Sequence, residues 1–202
     1  MKKITLGITG ATGIPIAFTL LEQLLKLNCQ VHLVITSAGI ITAKQETGIS
    51  LSANPNATRD KLTKQLNLTN SENLHVYTNN DWYAPIASGT SVSDDMVICP
   101  CSMASLGKIA NGIGDDLLCR AADVILKERK NLILVPRETP LSAIHLANMQ
   151  KLAALQVCIL PPMPAFYTHP KTVQDIIDFI VGRILDQLGL ANSLVKPWGV
   201  AK

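Results

Sequence analysis

The stretch NLILVPRETPLSAIHL, residues 131–146, decides the fold class. Leu132, Ile133, Leu134 and Val135 form an unbroken apolar run, where a strand with one wet face would alternate. Such a run needs cover on both faces, which is the habit of parallel strands flanked by helices. Pro136 closes the run, and two charges, Arg137 and Glu138, follow at once. Thr139 and Pro140 then suggest a helix start, with Thr139 as N-cap and Pro140 at the first helical position. The segment therefore predicts a strand, a charged turn and a helix over 141–155.

The same unit repeats outward from it. Residues 4–9, 31–36, 74–77, 96–99 and 157–160 are further strand-like apolar runs, and 14–27, 102–111, 116–127 and 172–188 carry helical spacing. Residues 50–68 are less regular and hold a short helix at most. The alternation predicts one α/β domain over 1–202, an open doubly wound parallel sheet in three layers. Ligands of such sheets bind outside the carboxyl ends of the strands, at the switch point, so Arg137 and Glu138 fall on the ligand-bearing edge.

Composition narrows the partners. The 202 residues are 48% hydrophobic, 16% charged and 4% aromatic, with a formal net charge of +3. That excludes disorder, and the low charge predicts surface buried in an oligomer. No Lys/Arg cluster is interleaved with aromatics, so nucleic acid is not an expected partner. Cys29, Cys99, Cys101, Cys119 and Cys158 read as free thiols of a reducing cytoplasm, and no metal-ligand spacing is present. The amino-terminal run after Lys2 and Lys3 is broken by Gly7, Gly10, Gly13 and Pro15, unlike a signal peptide. No stretch reaches the length of a membrane span; the expectation is a cytoplasmic protein.

Small residues gather at the strand ends. Residues 9–13, TGATG, form a glycine-bearing turn at a helix start, where free N–H groups suit an anion. The second strand ends in Thr36 and Ser37. CPCSMAS, 99–105, places Ser102 as an N-cap, with Ser105 beside it. Singly these hydroxyls are helix caps; together with Arg137 they favour a phosphorylated cofactor. Arg120 and Arg183 border apolar helix arcs, where arginines usually snorkel, and Lys127 reads alone as surface charge. Thr172 and Asp175 form a capping pair. The proline-rich 161–170 presents Phe166 and Tyr167 on a stiff loop. His32 and His75 look structural, and His145 and His169 lack a catalytic constellation.

GITGATG (7–13), the block 96–149 and PPMPAFYTHP with its following helix (161–190) closely resemble the UbiX-type flavin prenyltransferases, and the resemblance extends from residue 4 to Trp198. It implies a Rossmann/flavodoxin-like homo-oligomer, a dodecamer, that binds FMN and dimethylallyl phosphate. It further implies transfer of the prenyl group to N5 and C6 of reduced flavin, with the product passed to a UbiD-type decarboxylase, as in ubiquinone biosynthesis. Residue by residue, the FMN site would comprise Gly10, Ala11, Thr12, Gly13, Thr36, Ser37, Ser102, Met103, Ala104, Ser105 and Arg137. Lys127, Tyr167 and Arg183, with Arg120 nearby, would hold the prenyl phosphate across subunit boundaries. Trp82, Ala87, Ser88 and Gly89 would shape the prenyl pocket, Glu46 and Glu138 would handle protons, and Trp198 in the tail 189–202 would close over the site. No metal is implied. The family's Gly-Ala-Ser-Gly reads Gly10-Ala11-Thr12-Gly13 here, which adds a methyl and a stiffer side chain. Flavin-dependent cysteine decarboxylases share this kind of fold but show PASANT where this chain has PCSMAS (100–105). A non-catalytic FMN carrier would not need Lys127, Tyr167 and Arg183.

Overall fold

The computed structural model describes residues 1–195 and 199. Six parallel strands lie in the order β3-β2-β1-β4-β5-β6: β1 (Lys3–Ile8), β2 (Gln30–Ile35), β3 (Leu74–Tyr77), β4 (Asp95–Cys101), β5 (Asn131–Pro136) and β6 (Cys158–Ile159). The helices are α1 (Ile14–Lys26), α2 (Ser37–Thr47), α3 (Pro55–Gln65), α4 (Met103–Ala110), α5 (Leu117–Lys127), α6 (Ala143–Ala154) and α7 (Val173–Gln187). Chain order reverses between β1 and β4, which is the switch point.

The unbroken apolar runs are explained by two separate cores. Val97, Cys99, Ile133 and Val135 pack with α1 and α7 on one face of the sheet. Their neighbours Met96, Ile98, Leu132 and Leu134 pack with α4 and α5 on the other. Period-2 alternation still holds, but both faces are dry. At the amino ends of the strands, Asp95 is 6% exposed, pairs with Lys2 at 2.9 Å and accepts from the Asn131 side chain at 2.8 Å.

Three features depart from the sequence reading. The helix after β5 begins at Ala143, not at Pro140, because Ser142 is the better cap: its hydroxyl accepts from His145 N while the His145 ring accepts from Ser142 N. Thr139 and Pro140 stay in the turn, joined by a cis peptide. Residues 50–68 hold a full helix, α3, started by the Asn54 side chain and Pro55. A further helix, α2, follows β2; only Gly39 and Ala43 of it are buried, so it leaves almost no apolar period to detect. The Thr172–Asp175 capping box is present at α7. No helix among the described residues is long and apolar enough to cross a membrane.

On the β3 side, His32 lies stacked against His75 and Tyr77, with its Nδ1 3.0 Å from the Tyr77 hydroxyl. Burial first, then His75 and Lys3, lower the His32 pKa from 6.5 to about 4. The unfolded chain therefore takes up this proton first. Stability is whole above pH 6.5 and falls as pH drops from 6.5 toward 4, by up to about 3 kcal/mol. Urea unfolding at stepped pH is expected to show that slope, and His32→Gln to flatten it.

Candidate active site

The switch point is tied across the sheet by one hydroxyl. Thr9 Oγ1 donates to Pro100 O at 2.7 Å and accepts from Ser102 N at 2.8 Å, locking the end of β1 to the end of β4. The N-termini of α1, α2 and α4 meet on this edge. Ser102 caps α4 by accepting from Ser105 N, and its hydroxyl donates to Ser105 Oγ at 3.1 Å. Thr36 caps α2 by accepting from Gly39 N. Gly10 lets β1's turn approach α2: a Cβ there would lie 2.5 Å from Ala38 Cβ.

The α1 terminus is closed from outside. Gly13 offers no side-chain cap. The Glu46 carboxylate of α2 takes that role, accepting from Thr12 Oγ1, from Gly13 N at 3.0 Å and from Ile14 N at 2.9 Å. A carboxylate satisfies the orphan donors and complements the helix dipole. With α1 occupied, the α4 terminus, the exposed Ser37 and the exposed Arg137 are the groups left to meet a cofactor phosphate. Arg137 is placed by its backbone N–H, which donates to Cys101 O. Glu138 accepts from Thr139 N at 3.0 Å, and among the described residues it makes no ion pair with Arg137. Removing the cap with Glu46→Ala is expected to cost about 1–2 kcal/mol in urea unfolding, while Thr12→Ser, which keeps the hydroxyl, changes stability little. Turnover that differs in Thr12→Ser would then trace to the methyl.

A second cluster surrounds two 3-10 turns, Pro85–Ala87 and Gly89–Ser91. Ile86 anchors them in the core. Arg120 Nε donates to Ala87 O at 3.2 Å, and its guanidinium pairs with Asp123 at 3.0 Å. Lys127 lies two helical turns beyond Arg120 along α5 and pairs with Glu128. Trp82 is half-exposed nearby in sequence, and Ser88 is exposed. Because α5 runs antiparallel to the strands and ends shortly before β5 begins, Lys127 sits at the amino ends of the strands. The edge that carries Arg137 and the α4 terminus is at the other end.

The third cluster lies beside β6. Tyr167 meets Phe179 edge-on, with ring centroids 6.2 Å apart. Arg183, one turn beyond Phe179, pairs with Asp186 at 2.8 Å. Arg183 and Phe179 line a shallow groove of about 370 Å³ with Cys158, Leu160 and Met163. One chain thus gathers the residues expected for flavin and keeps Lys127 and Arg183 on other parts of its surface. Trp198 lies outside the described residues; the preceding tail, Asn192 to Val195, rests on α7, where Gly182 leaves it room.

Sequence reasoning missed Thr9, whose strand-end hydroxyl was the available signal, and Asn79, whose backbone and side-chain oxygens accept from Leu117 N and Leu118 N to start α5. It also missed the grouping of Asp115, Asp116 and Cys119. The Lys108 ammonium lies there, 2.8 Å from Asp115 and 3.6 Å from Asp116, and Asp116 caps α5. Burial pushes the Cys99 and Cys101 thiols up, and Cys119 to about 12, so none of them supplies a thiolate near neutrality.

A phosphate-ready edge at the switch point of a doubly wound sheet is the architecture of a nucleotide- or flavin-binding protein. The Flavoprotein family model matches residues 1–185. The flavin prenyltransferase UbiX of Pseudomonas aeruginosa is 44% identical over 198 residues, covering 98% of this chain and 94% of that protein. Two solved structures superpose over nearly the full length. AnUbiX (PadA1), in complex with FMN and dimethylallyl pyrophosphate, is 38% identical with a TM-score of 0.87, covering 100% of this chain and 99% of that one. A dodecameric FMN-dependent UbiX-like decarboxylase from Escherichia coli O157:H7 is 41% identical with a TM-score of 0.85, covering 97% and 98%. The chain belongs to the UbiX family of flavin prenyltransferases, and is a flavoprotein and a transferase.

Proposed function

We propose that this protein transfers the dimethylallyl group of dimethylallyl phosphate to N5 and C6 of reduced FMN, in the cytoplasm, and that the product serves a UbiD-type decarboxylase of ubiquinone or phenolic-acid metabolism. The observation that carries this reading is the joint presence, in one chain, of an anion-ready flavin edge and two separate cation-bearing clusters. An inert FMN carrier has no use for the second and third. Met103 and Ala104, in place of an asparagine-bearing loop, disfavour a cysteine-type decarboxylase.

The residues present fit FMN. Ser37, the α4 terminus and Arg137 offer donors to its phosphate, and the small side chains of Ala11 and Ala104 leave room for a ring system at the edge. Bound there in reduced form, FMN supplies the nucleophilic N5 and C6. Everything else falls to the protein. Breaking the allylic C–O bond leaves a phosphate dianion and a delocalised cation. Lys127, Arg183 and the Tyr167 hydroxyl stabilise the developing phosphate charge. Trp82 and Trp198 offer aromatic faces to the cation. A closed, weakly charged pocket excludes the water that would quench it. Glu138, on the same edge as Arg137, protonates the leaving phosphate or accepts the proton lost from C6, with Glu46 close to the flavin turn as second relay.

Assembly completes the site. Apolar side chains stand exposed on the isolated chain, among them Ile144 (71%), Phe166 (71%), Met163 (68%) and Val173 (73%). Patches of this kind mark interfaces. Burying them between copies, in a dodecamer, brings Lys127 of one subunit and Arg183 of another to the flavin edge of a third.

The test is anaerobic. Protein is mixed with reduced FMN and dimethylallyl phosphate, and the released flavin is weighed. A gain of one C5 unit is the expected result. Unmodified FMN with both the mono- and the diphosphate, from protein that still binds flavin, overturns the proposal.

A further inference from the structure

Lys127 does not face its substrate bare. It is the last residue of α5, and Glu128, the C-cap residue, turns its carboxylate back onto the ammonium. Adjacent helical residues ordinarily diverge; these two meet because the chain is leaving the helix, with Arg129 at φ 54 immediately after. The pair lies against Gly89 of the turn expected to shape the prenyl pocket. A Cβ at Gly89 would stand 2.9 Å from Lys127 Nζ and closer still to Glu128 Oε1. Glycine therefore keeps the backbone of that turn in direct contact with the ion pair.

We propose that Glu128 is an affinity-setting residue: it pairs with the Lys127 ammonium under the Gly89 turn and yields it to the incoming prenyl phosphate. This rests on the reading of Lys127 as a phosphate ligand. The side chains of Lys127 and Glu128 are 47% and 38% exposed, and ion pairs so exposed are weak enough to exchange. A dianion arriving at Lys127 meets the Glu128 carboxylate at the same ammonium, and two like charges cannot share it closely without mutual repulsion. Glu128 must swing away, and its return after transfer helps expel inorganic phosphate. The carboxylate thus trades substrate affinity for product release. The lysine keeps its place without it, because the carbonyl end of α5 also attracts a cation.

The experiment uses FMN-loaded oligomer. KM for dimethylallyl phosphate and the dissociation constant of inorganic phosphate, by calorimetry, are measured for wild type, Glu128→Gln, Glu128→Asp and Lys127→Ala. Glu128→Gln is expected to lower both constants about threefold to fivefold, without raising kcat. Glu128→Asp, which keeps the charge, returns both toward wild type. Lys127→Ala is expected to weaken phosphate binding about tenfold or more. Unchanged phosphate binding in Lys127→Ala overturns the reading of the lysine itself. Loss of binding in Lys127→Ala combined with unchanged or weaker binding in Glu128→Gln overturns the role of Glu128 alone.

Discussion

Oligomers built only from Lys127→Ala subunits, or only from Arg183→Ala subunits, are expected to turn over about 10²–10³-fold more slowly than wild type, since each loses a charged donor proposed to meet the developing phosphate. Oligomers assembled from an equal mixture of the two are expected to regain about a quarter of wild-type turnover, one half times one half of the sites receiving both intact residues from neighbouring subunits. The prediction comes from chain direction. Lys127 ends a helix antiparallel to the sheet, while Arg183 lies beside Cys158 and Phe179 at the β6 edge. If both residues came to a site from the same subunit, mixing would restore nothing, because each subunit would carry one defect into its own site. Co-expression with two affinity tags, followed by the mass assay on doubly tagged material, reads the outcome directly.

The second large effect is at Gly10. A Cβ at this position would stand 2.5 Å from Ala38 Cβ and 3.3–3.4 Å from the Ala38 backbone, so the obstacle is the start of a helix and not a flexible side chain. Gly10→Val forces α2 away from the β1 turn. Glu46 rides on α2, so its hydrogen bonds to Thr12, Gly13 and Ile14 loosen together. The expected result is destabilisation by about 1–3 kcal/mol in urea unfolding. Flavin affinity is expected to fall further than stability alone explains, because the turn proposed to face the ring has moved. A variant that binds flavin as wild type does would show that the turn and α2 move independently.

Much of this architecture was legible in the residues. The central strands announce themselves because both faces of the sheet are buried there, while the edge strands β3 and β6 are only partly buried and were found from short apolar runs despite His75 within β3. The α5 and α7 arcs were equally plain. The α2 helix was not: it buries a glycine and an alanine, and its working residue, Glu46, points back at another helix's first turn. Such a contact joins residues 12–14 to residue 46 through tertiary structure and leaves no local period. The helix start at Ser142 was missed for a different reason. Two adjacent segments, Thr139 with Pro140 and Ser142 with His145, both carry capping chemistry, and the reciprocal ring-to-backbone bond that favours the second depends on a histidine acting where glutamate is usual. The gathering of hydroxyls at the strand ends was readable, but the separation of Lys127 and Arg183 from that edge was not. The sequence already put Lys127 at the end of a helix; that this end lies at the amino ends of the strands, away from Arg137, emerges only when the elements are assembled into the sheet.

The antiparallel course of α5 also bears on how this protein behaves when it is scarce. On the proposed assignment the flavin-facing groups travel on every copy, so retention of the yellow colour need not follow subunit concentration. Prenyl transfer at the proposed shared site requires copies to meet, and its specific rate is expected to decline on dilution past the point where subunits part, while flavin retention falls less steeply. Synthesis of a few copies would then yield a quiet flavin store, and the alkylating chemistry would begin once enough subunits had accumulated to enclose it.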